Sequence, residues 1–153
     1  MKFHTKIILH PTDFSENAAN ALEVAADLLN IPSTRLIVLH VGELPTIINN
    51  PKAEDAVVLE RERMKKATEQ MKAYLLKCLG NQLPIPVPEE EIVMHTSTYK
   101  GILDAITRID PYMVVIGQKG HSKIKDLIMG STAKHLTEKV HCPLVIVPSF
   151  VSK

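Results

Sequence analysis

Half of the chain's six glycines stand at positions 117, 120 and 130, and Ser131 and Thr132 follow the last of them at once. Glycine lets backbone amides come close to a ligand with no side chain in the way, and a hydroxyl at a helix start adds a donor. Tyr112-Met113-Val114-Val115-Ile116, just before the loop, is an apolar run of strand type, and Ser131 to Leu136 begins a run of helical character. Strand, glycine loop and helix start, in that order, suit an anion such as phosphate held by backbone amides and the helix dipole. The spacer after Gly120 carries His121, Lys123 and Lys125, which could offset phosphate charge, although surface lysines on a short loop are the simpler reading.

A second polar turn, Pro11-Thr12-Asp13-Phe14-Ser15, also follows an apolar run directly. Asp13 could help hold Mg²⁺ through a bound nucleotide, the usual arrangement for that ion. Other chemistries find no support in the spacing. There is no GxxxxGK[ST] and no GxGxxG, so neither a P-loop nor a dinucleotide fingerprint is present. SGGxDS and HIGH are also missing, which weakens a nucleotidyltransferase reading. The seven histidines form no HExxH or HxH pair, and His135 and His141 are poorly spaced to share a helix face. Ser131 as a nucleophile would need a base that the spacing does not supply.

The elements that must position these turns alternate between strand and helix. Ile7 to His10 predicts a first strand ended by Pro11. Asp13-Phe14-Ser15-Glu16 supplies candidate N-caps, Asp13 in capping-box spacing with Glu16, ahead of a helix marked by Ala18, Ala21, Leu22, Ala25, Leu28 and Leu29. Arg35 to Val41 predicts a second strand ended by Gly42. Val57, Met64, Ala67, Met71, Leu75 and Cys78 then form an apolar stripe on a long charged helix from about Lys52 to Leu79, stopped by Gly80-Asn81. The proline-rich stretch Leu83 to Pro88 predicts an extended connector, and Glu91 to His95 a weaker strand at a sheet edge. A third helix around Ile102 to Ile109 ends at Asp110-Pro111. A fourth runs from Ser131 to about His141, and Leu144 to Val147, between prolines, predicts a short fifth strand. The strong strands read as continuous apolar runs, which predicts a parallel sheet covered by helices on both faces. In such sheets ligands sit beyond the carboxyl ends of the strands, so the two polar turns would meet if the first and fourth strands are neighbours.

At 153 residues the chain is expected to be a single domain, residues 1–153, with a proper core. A net charge of +1 shows no basic surplus for nucleic acid, and no apolar stretch approaches the roughly 20 residues that cross a membrane. Cys78 and Cys142 make no CxxC pair and are read as reduced thiols of a cytoplasmic protein.

Pro11-Thr12-Asp13-Phe14-Ser15 after the first strand, with Gly117-x2-Gly120-x9-Gly130-Ser131 after the fourth, resembles the universal stress protein family, and its ATP-binding branch in particular. The resemblance extends to the tail Cys142-Pro143-Leu144-Val145-Ile146-Val147. It implies an α/β Rossmann-like fold whose five-stranded parallel sheet is ordered 3-2-1-4-5, and a homodimer formed through Leu144–Val147. It also implies an ATP site. Asp13 would touch the ribose or a phosphate-bound Mg²⁺, Val41 would offer backbone groups to adenine, and Gly117 would line the ribose. Gly120, Gly130, Ser131 and Thr132 would cradle the phosphates, and Pro11, Thr12, Ile116 and His121 complete the set. The turn Thr96-Ser97-Thr98-Tyr99-Lys100-Gly101 departs from the family's glycine-small pattern before the third helix, so the resemblance assigns it no contact. Gly130 is expected to resist replacement, because alanine would put a methyl group into ligand space and strain φ. The implied function is a stress response exerted through nucleotide-dependent conformation or partner binding rather than fast catalysis. A slow ATP hydrolase or phosphotransferase on the same scaffold, and a nucleotide-independent dimeric interaction module, stand as alternatives.

Overall fold

The computed structural model describes residues 4–44, 52–81, 83–120 and 129–149. In chain order the elements are β1 (Lys6–Pro11), α1 (Glu16–Asp27), β2 (Thr34–Glu43), α2 (Ala53–Leu79), β3 (Glu89–His95), α3 (Thr98–Ile109), β4 (Met113–Gly117), α4 (Ser131–Lys139) and β5 (Leu144–Val147). The strands form one parallel sheet in the order β3-β2-β1-β4-β5, as the resemblance implied.

Side chains alternate across a strand, so each strand feeds two cores. On one face Ile8, Leu36, Val38 and Val115 pack with Ala21, Leu22 and Ala25 of α1 and with Met71, Tyr74 and Leu75 of α2. On the other, Leu9, Ile37, Leu39, Val114 and Ile116 pack with Ile102 and Ala105 of α3 and Leu136 of α4. Burial on both faces is why these strands read as unbroken apolar runs. Leu22, Leu36, Leu39 and Leu136 are all buried to 1% or less, a gain of about 1.5–3 kcal/mol each over exposure.

Several local expectations need correction. Of the N-cap candidates before α1, Ser15 is the one used, its hydroxyl accepting from the Ala18 amide, so the capping-box place of Asp13 is what changes; Asp13 accepts the Ser15 amide and belongs to the turn. Gly42 does not end β2, because pairing with β3 runs on through Gly42↔Met94 and Glu43↔His95. The stripe on α2 is core only in its later half. Ala67, Met71 and Leu75 are buried while Val57 is 56% exposed. A helix this long reaches about 40 Å at about 1.5 Å per residue, further than the sheet it covers.

The sheet also opens where function would need it. Pairing of β1 with β4 is confined to Ile8↔Met113 and Leu9↔Val114, whereas β1 stays in register with β2 as far as Pro11↔Leu39. Beyond Leu9 the His10 imidazole fills the seam, its Nδ1–H donating to the Val115 carbonyl at 2.9 Å. Strand order reverses between β1 and β4, and the crevice lies at that switch point.

Candidate functional site

Above the seam is a cleft of about 480 Å³ lined from the carboxyl ends of β1, β2 and β4 and from the first turns of α3 and α4. Pro11, Thr12, Asp13, Val41, Ile116, Gly117, Gly120, Gly130, Ser131 and Thr132 all line it, so ten positions read from sequence meet in one place. His121, with Lys123 and Lys125, lies outside the described residues.

The turn after β1 is held from every side. The Thr12 amide donates to the Leu39 carbonyl at 2.8 Å, and His40 Nδ1–H donates to the Thr12 carbonyl at 2.9 Å. The Phe14 amide donates to the Thr12 hydroxyl and the Ser15 amide to Asp13 Oδ1, both at 3.0 Å. Phe14 sits at φ +63, a left-handed conformation that costs a residue with a side chain roughly 1–2 kcal/mol. Stacking of its ring on His40 at 4.2 Å, and edge contact with Tyr74 at 5.4 Å, help offset that cost. The strained turn holds Asp13 at the lip of the cleft.

Beneath it, the Tyr74 hydroxyl lies 3.3 Å from His10 Nε2 and beside the Thr12 side chain. His10 Nδ1 carries the proton given to Val115, so in the neutral ring Nε2 accepts from the Tyr74 hydroxyl. Burial pushes the His10 pKa down to about 4 and moves that of His40 in the same direction. Burial also raises the Tyr74 phenol. These groups are a floor for the turn and hold their protons fixed.

The glycine loop shows why glycine is used. A Cβ at Gly120 would run into the Asp13 carboxylate, and one at Gly130 would meet the Gln118 carbonyl at 3.3 Å and Lys119 Cα at 3.4 Å. Gly130 has φ −69 and ψ 156, so the expected backbone strain on replacing it is not there. These glycines supply space rather than unusual φ. Gly130 is also the N-cap of α4 and offers no side chain to the first-turn amides; Ser131 is the first helical residue. α3 likewise starts without a side-chain cap bond, in contrast to α1 with Ser15. The first-turn amides of two helices without side-chain caps therefore border the cleft, with a positive potential suited to an anion.

Sequence reasoning left out the far wall. Glu43, Thr96, Ser97, Thr98 and Tyr99 line the cleft, with Thr98 Oγ1 donating to Glu43 Oε1 at 2.8 Å. The signal available was Gly101. Its missing side chain lets α3 close on Val41 and His95, which carries the preceding loop inward. Among the described residues no three His, Cys, Asp or Glu side chains cluster as metal ligands. No helix there is long and apolar enough to cross a membrane.

Residues 4–148 match the model of the universal stress protein family. The chain is 25% identical to universal stress protein YxiE of Bacillus subtilis over 154 residues, covering 88% of this chain and 93% of that one. It also aligns at 25% identity with an uncharacterized Schizosaccharomyces pombe protein, over 92% of this chain but only 23% of that protein's length. Universal stress protein UspA from Lactobacillus plantarum shares the fold with a TM-score of 0.76 at 20% identity, over 94% of this chain and 98% of that one. A family member from Arabidopsis thaliana, solved with AMP bound, gives 0.63 at 15% identity, over 95% and 93%. Further structures of universal stress proteins hold dAMP and cAMP.

Proposed function

Because the chain belongs to the universal stress protein family, we propose that its cleft binds an adenine nucleotide, ATP with Mg²⁺, and that the protein acts in a stress response through nucleotide-dependent conformation or partner binding. The observation that carries this reading is the convergence of Asp13, the glycine loop and the uncapped start of α4 on one crevice at the switch point. AMP, dAMP and cAMP in related structures support the ligand class.

The residues present fit such a ligand. Backbone groups of Val41 would meet adenine, with Pro11, Thr12 and Ile116 as apolar and polar walls. Gly117 and Asp13 would border the ribose. Gly120, Gly130, Ser131 and Thr132 would surround the phosphates with amides and hydroxyls, and His121 would add to them. Asp13 stands beside the glycine loop and Glu43 on the far wall, so Mg²⁺ would arrive on the phosphates and gain Asp13 as its protein ligand. The chain would act as one cytoplasmic domain, paired with a second copy through the edge strand β5.

The test is a ¹H–¹⁵N spectrum titrated with MgATP, followed in the same tube by ³¹P resonances. Binding as proposed shifts the amides of Val41, Gly117 to Gly120 and Ser131 to Ala133, while the three ATP phosphorus signals persist for hours. Shifts confined to α2 or β3 would overturn the site. Steady growth of inorganic phosphate would favour a hydrolase.

A further inference from the structure

Asn17 is in the first turn of α1 and is buried to 8% relative exposure, an unusual place for a primary amide. Burying such a group is unfavourable unless its hydrogen bonds are made. Its bonds do not serve its own helix. Oδ1 accepts the Lys119 amide at 2.6 Å, and Nδ2–H donates to the Val147 carbonyl at 3.4 Å. The same Val147 carbonyl accepts the Gln118 amide at 2.8 Å. Gly117 completes the contact, since a Cβ there would meet the Asn17 carbonyl oxygen at 2.9 Å and Oδ1 at 3.0 Å.

We infer that Asn17 is a positioning residue for the glycine loop: its amide fixes Lys119, and with it Gly120, against α1 and the end of β5 at the phosphate end of the cleft. This rests on the nucleotide reading above for its consequence, though the loop contact itself does not. Three elements meet at one side chain. α1 supplies the amide, β4 runs into the loop it holds, and β5 supplies the carbonyl that orients it. Nδ2 bonded to a carbonyl leaves Oδ1 as the only end that can face Lys119, so the amide cannot flip without losing both bonds. Gly130 then docks on the loop so held, its amide donating to the Gln118 carbonyl at 2.8 Å. A loop set before ligand arrives keeps its amides aimed without an ordering cost on binding.

The experiment compares Asn17→Ala and Asn17→Asp with the parent chain, by amide hydrogen exchange without nucleotide and by MgATP titration. Asn17→Ala should lose protection at Lys119, leave Leu9 and Val114 in the core strands as protected as in the parent, and bind MgATP about tenfold more weakly. Asn17→Asp keeps an oxygen for the Lys119 amide but turns its second oxygen toward the Val147 carbonyl, so Lys119 should keep more protection than in Asn17→Ala and less than in the parent. Unchanged Lys119 exchange in Asn17→Ala overturns the inference, and so does equal loss of protection at Lys119, Leu9 and Val114. So does parent-like MgATP affinity in a variant whose Lys119 amide has opened. If the parent chain itself fails to bind MgATP, the nucleotide reading falls, while the exchange data still decide whether Asn17 holds the loop.

Discussion

The Gly130 amide donates to the Gln118 carbonyl at 2.8 Å, so the start of α4 is fastened to the glycine loop that follows β4. The two halves of the proposed phosphate cradle are thus one unit, and each constrains the other.

Replacing Gly130 with alanine should therefore act through that junction. The backbone there is in an extended conformation open to any residue, but the new methyl would press on Gln118 and Lys119 and move the loop by a few tenths of an ångström. Overpacking of this kind typically costs about 1–3 kcal/mol, and we expect MgATP affinity to fall roughly tenfold, a loss of about 1.4 kcal/mol, in a chain whose circular dichroism is unchanged. Lys123→Ala, the loss of a single charge, should cost less than about 1 kcal/mol. Titration of both variants settles the order, and parent-like binding by Gly130→Ala with a large loss in Lys123→Ala would assign the cradle to side-chain charge instead.

Asp13→Asn should spare the turn, because an amide oxygen can still accept the Ser15 amide that Asp13 Oδ1 now accepts at 3.0 Å. It would remove the negative charge next to the phosphates. We expect the ratio of ATP affinities with and without Mg²⁺ to shrink several-fold, with Mg²⁺-free ATP bound no more weakly than by the parent. An unchanged ratio, measured by calorimetry, would remove Asp13 from the metal's surroundings.

Much of this site was legible in the residue order, and the parts that were not share a cause. Ile8, Leu9, Val114 and Val115 announced buried strands because both faces of the sheet are covered. The place of Asp13 and Gly117 after two of those strands located the crevice. Sheet order itself came through family resemblance, since apolar runs do not say which strand lies beside which. Asn17 and Phe14 stayed invisible. One acts on groups 102 and 130 positions away, and the other is an ordinary aromatic until its positive φ is seen. The exposed first half of α2 carries the same helical period as its buried half, and periodicity does not show where a neighbouring layer stops.

The buried His10 makes stability depend on pH in a defined direction. Unfolded chain takes up a proton near the ordinary value of 6.5, whereas the folded ring does so only near 4. Stability present above pH 6.5 is therefore lost as pH falls from 6.5 toward 4, at up to about 1.4 kcal/mol per pH unit for this one group. His40, shifted the same way by burial, adds to the slope. Urea unfolding at pH 7.5 and 5.0 should show the fall, and His10→Asn should flatten it by as much as one proton. Equal slopes in parent and variant would mean that the ring is charged in the fold.

β5 lies at one edge of the sheet, and Leu144, Val145 and Ile146 are only half-buried. An apolar edge strand invites pairing with a second copy. Multi-angle light scattering at micromolar concentration should give twice the 17.0 kDa chain mass. A single chain mass at that concentration would contradict pairing through this edge.

Nucleotide binding is tested most directly by the melting temperature of the purified chain in rising MgATP and AMP. A ligand at about 100 times its dissociation constant stabilises the fold by about 2.7 kcal/mol, which in a domain of this size is a rise of several degrees. Adenine nucleotides should give that rise, and Gly130→Ala a smaller one at the same concentrations. A melting temperature indifferent to millimolar MgATP and AMP would contradict nucleotide binding.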